Sequence, residues 1–169
     1  MRTETGNWYA LHVKPRHEFA TDSELTRKGI ATCLPAVTRL RQWKDRKKLV
    51  DFPLFPGYLF VRVEPCHEDF NRVLRTPGAL TLLSTVPGTP TPIPPHEIHS
   101  LMLLVEKAGD IDVYPHLTPG SRVRVRRGIF TGAEGVLVKK ESHLLFVVSI
   151  NILSRSVGVR MYADDLEAA

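Results

Sequence analysis

A chain of 169 residues with 43% hydrophobic side chains has room for one ordinary domain or two small ones, each with a buried core. Its 23 Lys and Arg outnumber its 18 Asp and Glu, for a formal charge of +5 and a pI near 9.4, which favours a polyanionic partner without naming one. Cys33 and Cys66 are its two cysteines, too few for a disulfide framework and without the paired spacing of a structural zinc site, and no apolar run reaches the roughly 20 residues that span a bilayer; the expectation is a cytoplasmic protein with no membrane partner.

Trp8 to Lys14 alternates as a strand does, and Pro15 closes it before a charged stretch that Gly29 can end as a helix cap. Ile30 to Leu40 reads as a second strand. Leu59 to Val63 reads as a third, with Leu59, Val61 and Val63 on one face and Tyr58, Phe60 and Arg62 on the other. Phe70, Val73 and Leu74 suit one face of a short helix, and Ala79 to Val86 suits a strand. Ile98, Leu101, Met102 and Val105 recur at helical spacing before Gly109. The order β-α-β-β-α-β-α implies an α+β domain over residues 1–108. Residues 109–118 show no clear periodicity and read as a linker. Residues 119–169 carry short alternating segments, Val123/Val125, Val136/Val138, Leu144 to Ile150 and Val157/Val159, which suggest a small all-β barrel.

Two separated blocks carry a family resemblance. The first is Trp8-Tyr9, then Leu54-Phe55-Pro56-Gly57-Tyr58-Leu59-Phe60-Val61, Thr76-Pro77-Gly78, and Pro92-Ile93-Pro94 with Glu97-Ile98. In that order it resembles the NusG amino-terminal domain. The second, Pro119 to Val125 followed by Gly128-Ile129-Phe130-Thr131-Gly132-Ala133-Glu134-Gly135-Val136, resembles the KOW motif that begins an SH3-like barrel. The resemblance implies a ferredoxin-like antiparallel sheet with helices, followed by a KOW barrel. It also implies a monomeric, non-catalytic transcription elongation factor that binds the clamp of the largest RNA polymerase subunit and suppresses pausing. Trp8-Tyr9, Cys33-Leu34 and Leu54-Phe55-Pro56 are similar to the operon-specific RfaH-like branch, whereas Gly57 follows the general pattern.

From the residues alone, the Tyr58/Phe60 face is covered either by helices or by a partner. The resemblance makes it the polymerase contact, with Phe55, His12 and Met102. Lys14, Arg16 and Arg75 lie near helix ends where phosphate binding is favoured, and in the family that surface meets the non-template DNA strand. Ordinary surface charge is the alternative for each. Ser149 to Arg155 resembles the segment that meets either the termination factor Rho or the ribosomal protein NusE, so Ile152, Leu153 and Arg155, with Phe130 on the first barrel loop, form the expected partner site; Ile152 and Leu153 also suit a core. The branch resemblance favours NusE.

Gly128, Gly132 and Gly135 are not followed by Gly-Lys-Ser/Thr, so turn geometry accounts for them better than nucleotide binding, with Phe130 at the loop tip. Cys66-His67 and the seven His residues show no nucleophile-base or metal spacing, so no enzyme activity, metal or cofactor is expected. Arg39 to Lys48 holds six basic residues and one acidic, with Trp43 among them; a solvated hairpin tip and a tip aimed at polymerase or DNA both fit. An RNA- or ribosome-binding KOW protein is the rival reading. Against it, residues 1–108 carry 15 basic and 11 acidic groups while 109–169 carry 8 and 7, a weak charge surplus for a barrel that would bind phosphates.

Overall fold

The structure, a computed structural model, describes residues 5–107, 112–115, 120–140, 143–161 and 165–169. It divides into two compact units, Met1–Pro92 and Ile93–Ala169.

In the first unit, β1 (Asn7–Val13), β2 (Ala31–Cys33), β5 (Tyr58–Val63) and β6 (Ala79–Leu82) form an antiparallel sheet in the order β2-β5-β1-β6. Strand alternation sends Tyr9, Leu11, Val13, Leu59, Val61 and Val63 to one face. There they form a core with Leu25 of α1 (Glu18–Arg27) and Val73 of α2 (His67–Leu74). Tyr9 meets Phe70 edge-on, with ring centroids 5.2 Å apart. The two helices are tied at their carboxyl ends, where Lys28 Nζ donates to Thr76 Oγ1 (2.9 Å) and Arg72 donates to the Lys28 carbonyl (3.1 Å).

The single strand expected over residues 30–40 is two. Pro35 separates β2 from β3 (Ala36–Gln42), which pairs with β4 (Lys47–Pro53) as a two-stranded sheet of its own. Proline cannot donate to a ladder, which is why pairing with β5 stops before it. β6 likewise ends at Leu82, and Val86 turns instead to bridge Thr89 across Pro87-Gly88.

In the second unit, α3 (Pro95–Lys107) precedes β7 (Asp112–Pro115), β8 (Ser121–Val125), β9 (Glu134–Lys140), β10 (His143–Ile150), β11 (Arg155–Arg160) and β12 (Leu166–Ala168). These six strands form one antiparallel sheet in the order β12-β8-β9-β10-β11-β7. Val123, Val125, Leu145, Phe146, Val147, Val148, Ile150, Val157 and Val159 are buried in this unit. β7 falls in the stretch read as a linker, and it pairs with β11. The stop expected at Gly109 lies outside the described residues. α3 packs on β9 and β10.

Candidate functional site

The antiparallel register places His12 opposite Tyr58, Ala10 opposite Phe60 and Trp8 opposite Arg62, all on the face turned away from the Tyr9/Leu11/Leu59 core. His12 and Tyr58 stack, with centroids 5.0 Å apart and planes 26° from parallel. Phe55 meets Phe60 edge-on at 6.2 Å. The Leu-Phe-Pro-Gly-Tyr turn holds these rings. Tyr58 N donates to the Phe55 carbonyl (3.0 Å) and Val13 N to the Gly57 carbonyl (2.8 Å). Gly57, at φ +85°, donates its N–H to Glu18 Oε1 at 2.8 Å, so the turn is pinned to the first residue of α1; a side chain at that φ would be strained. His12 and Tyr58 are half-buried, whereas Phe55 and Phe60 are buried. Met102, half-buried on α3, belongs to the second unit.

At one end of the same sheet, the loop after β1 and the loop after α2 are joined. Lys14 N donates to the Gly78 carbonyl (2.9 Å) and Thr21 Oγ1 to the Pro77 carbonyl (2.9 Å). Lys14 and Arg16 on one loop and Arg75 on the other are exposed, and no ion pair among the described residues uses them. Arg16 sits at φ 65°, a left-handed conformation that costs a side-chain-bearing residue of order 1 kcal/mol. Sequence reading does not detect that strain. Arg72 is different, since Asp69 and the Lys28 carbonyl occupy its guanidinium.

In the second unit, a one-turn 3-10 helix (Asn151–Leu153) ends at Ser154 in the left-handed region, φ 50°. Leu153 is buried, Ile152 half-buried and Arg155 exposed, so Leu153 answers to the core and the other two to the surface. On the first barrel loop Phe130 is half-buried, between Ile129 and Thr131, which are both exposed. Alternation carries no information through a turn of this kind, where Gly128 and Gly132 both take positive φ. Gly135 has a different reason to be glycine, because a Cβ there would collide with the Val147 carbonyl oxygen and crowd the Phe146 ring.

One polar contact was not legible in the sequence. Asn151 Nδ2 donates to Glu97 Oε1 (2.7 Å) and its backbone N–H reaches Glu97 Oε2 (3.4 Å); one turn along α3, Ser100 Oγ accepts the Glu134 N–H at 2.9 Å. Burial pushes the Glu97 carboxyl above its ordinary value of 4.5, and the Asn151 bonds and the charge of His96 pull the other way without cancelling it. Among the described residues, no group of three His, Cys, Asp or Glu is placed to hold a metal, and no helix is long and apolar enough to cross a membrane. His67 Nδ1 bonds Asn71 (2.9 Å) and not its neighbour Cys66.

An α+β unit with an aromatic sheet face, followed by an antiparallel β unit, is a two-part architecture that comparison with known proteins assigns to a family. The family model described as transcription termination factor NusG matches residues 6–102, more than half of the chain. The transcription termination/antitermination protein NusG of Staphylococcus epidermidis is 27% identical over 184 residues, with 99% of each chain covered. That of Buchnera aphidicola is 28% identical over 119 residues, 69% of this chain and 65% of the relative. A solved structure of Thermotoga maritima NusG shares the fold, with a TM-score of 0.54 at 20% identity and 97% of each chain covered. The chain belongs to the NusG family.

Proposed function

We propose that this protein is a non-catalytic, cytoplasmic transcription elongation and antitermination factor, acting as a monomer in an operon-specific, RfaH-like role. Residues 1–108 bind the clamp of the largest RNA polymerase subunit and suppress pausing, and the KOW domain at 119–169 recruits a partner. The observation that carries this reading is the stacked His12–Tyr58 pair on the sheet face that the helical core does not use. It lies inside the segment matched by the family model, and aromatic side chains at a surface commonly anchor protein interfaces. Phe55 and Phe60, which meet each other edge-on, belong to the same polymerase contact, and Met102 of the second unit is a further polymerase-binding residue in this reading. Lys14, Arg16 and Arg75 contact the non-template DNA strand, as their shared position at the joined loops and their lack of ion pairs suggest. Ile152, Leu153, Arg155 and Phe130 form the recruitment surface, taken by the ribosomal protein NusE in preference to Rho.

The test is copurification of the full-length protein from a lysate, followed by a pause assay on purified elongation complexes. RNA polymerase in the eluate and shortened pauses are the expected result. Recovery of ribosomal RNA without polymerase would replace the proposal with the RNA-binding KOW reading.

A further inference from the structure

The β3–β4 hairpin has two unlike faces. Its register pairs Arg39 with Val50 and Arg41 with Lys48 on one side, and Thr38 with Asp51 and Leu40 with Leu49 on the other. Residues 38–49 are all exposed, and Asp51, the acidic residue of the paired strands, is held by Thr38 at 2.5 Å on the Leu40/Leu49 side. The first side therefore carries Arg39, Arg41 and Lys48 with no acidic residue among them, and no ion pair among the described residues engages any of the three. Arg41 and Lys48 stand directly opposite one another, an arrangement that destabilises an isolated antiparallel pair and that an anion between them would relieve. At the turn, closed by Trp43 N–H to the Arg46 carbonyl at 2.8 Å, the Arg41 guanidinium lies over the Trp43 ring, 5.6 Å from its centroid. Trp43 as a residue is still 54% exposed.

We infer that this face is a binding site for single-stranded nucleic acid. Trp43, steadied by Arg41, offers a flat ring on which one unpaired base stacks, and the three cations run back along the hairpin to follow the phosphates. Arg39 and Arg41, two residues apart on one strand, are about 7 Å from each other along it. Every base has a π-face, so such a site tolerates sequence. Duplex bases are already stacked and present only their edges, which leaves Trp43 without a partner there. The site is separate from Lys14, Arg16 and Arg75 and does not depend on the role proposed for them.

The experiment uses the full-length protein in a Trp8→Phe background, which leaves Trp43 as its single tryptophan, since the chain has two. Its emission is followed during titration with a twelve-nucleotide oligothymidylate, an oligouridylate of equal length, and a duplex of equal length. Quenching by a single strand is expected, with the DNA and RNA arms showing which sugar is preferred. Trp43→Leu, followed by anisotropy of a labelled strand, should weaken binding roughly tenfold, the size of one lost base stack. Arg41→Gln with Lys48→Gln should lower the slope of log affinity against log salt by a little over 1. An unchanged Trp43 emission, tighter binding of the duplex, or quenching by neither strand alongside capture of a protein partner at Trp43 would each overturn the inference.

Discussion

Asn151 holds both carboxylate oxygens of Glu97 through its side chain and its backbone N–H, although 54 residues separate them. The contact joins the start of α3 to the turn inside the expected partner segment, and it does so with a carboxyl that burial makes reluctant to ionise.

The pH dependence follows from that reluctance. Glu97 has a higher pKa in the folded protein than unfolded, so the folded state binds its proton more readily. The contribution of this group to stability is greatest below the unfolded value and falls as pH rises from about 4.5 through the raised folded value. Arg124 holds the nearby Glu134 carboxyl below its usual range, so Glu134 stays ionised there. The Asn151 side-chain amide signals, followed by NMR, should titrate above the ordinary carboxylate range, and Glu97→Gln should abolish that titration. A titration that survives Glu97→Gln would assign it to another group.

The aromatic face calls for a substitution that spares the core. Tyr58→Ala removes a half-buried ring and should weaken polymerase binding by about 2 kcal/mol or more. Phe60→Ala, at a fully buried position, should cost about 3–5 kcal/mol of stability, so its binding defect is informative only where circular dichroism and melting show a folded protein. Wild-type affinity in a folded Tyr58→Ala/Phe60→Ala double variant would remove this face from the interface.

Arg16 gives an unusual pairing of outcomes. Arg16→Gly relieves the left-handed backbone and should stabilise the first unit by up to about 1 kcal/mol, read as a higher urea midpoint. The same change removes a cation and should reduce the salt slope of non-template DNA binding by about 1. Higher stability with an unchanged salt slope would mean that Arg16 does not touch phosphate.

Gly135→Ala places a methyl against the Val147 carbonyl and the Phe146 ring, and overpacking of this kind should cost about 1–3 kcal/mol in the second unit. Arg155→Ala and Ile152→Ala leave the core alone and should weaken partner binding without moving the melting temperature. Titrating methyl-labelled full-length protein with NusE and with Rho separates the two partners; shifts with Rho only would point to a general termination-coupled role.

Period-2 alternation of apolar residues revealed β1, β5 and the strands from β8 to β11, although Leu59 to Val61 and Leu145 to Val148 are buried on both faces. It did not separate β2 from β3, since both halves of residues 30–40 alternate and only Pro35 marks the break. β7 was hidden for another reason. A four-residue strand that pairs with β11 alone is too short to show a period. The faces of β5 could be read from Tyr58 to Val63, yet the depth at which Phe60 lies could not. Glu97–Asn151 depends on where α3 packs, which no local pattern encodes.

The strand order also sets a timetable for folding as the chain is made. β8, β9, β10 and β11 join consecutive neighbours, so their pairings close short loops and form quickly. β1 lies instead between β5 and β6. Tyr9 must wait for Val61 to be synthesised before it has a ladder partner, and in that interval the apolar side chains of β1 stay open to solvent and to chaperones. The β3–β4 hairpin, which forms within that wait and pairs only with itself, keeps the intervening chain occupied.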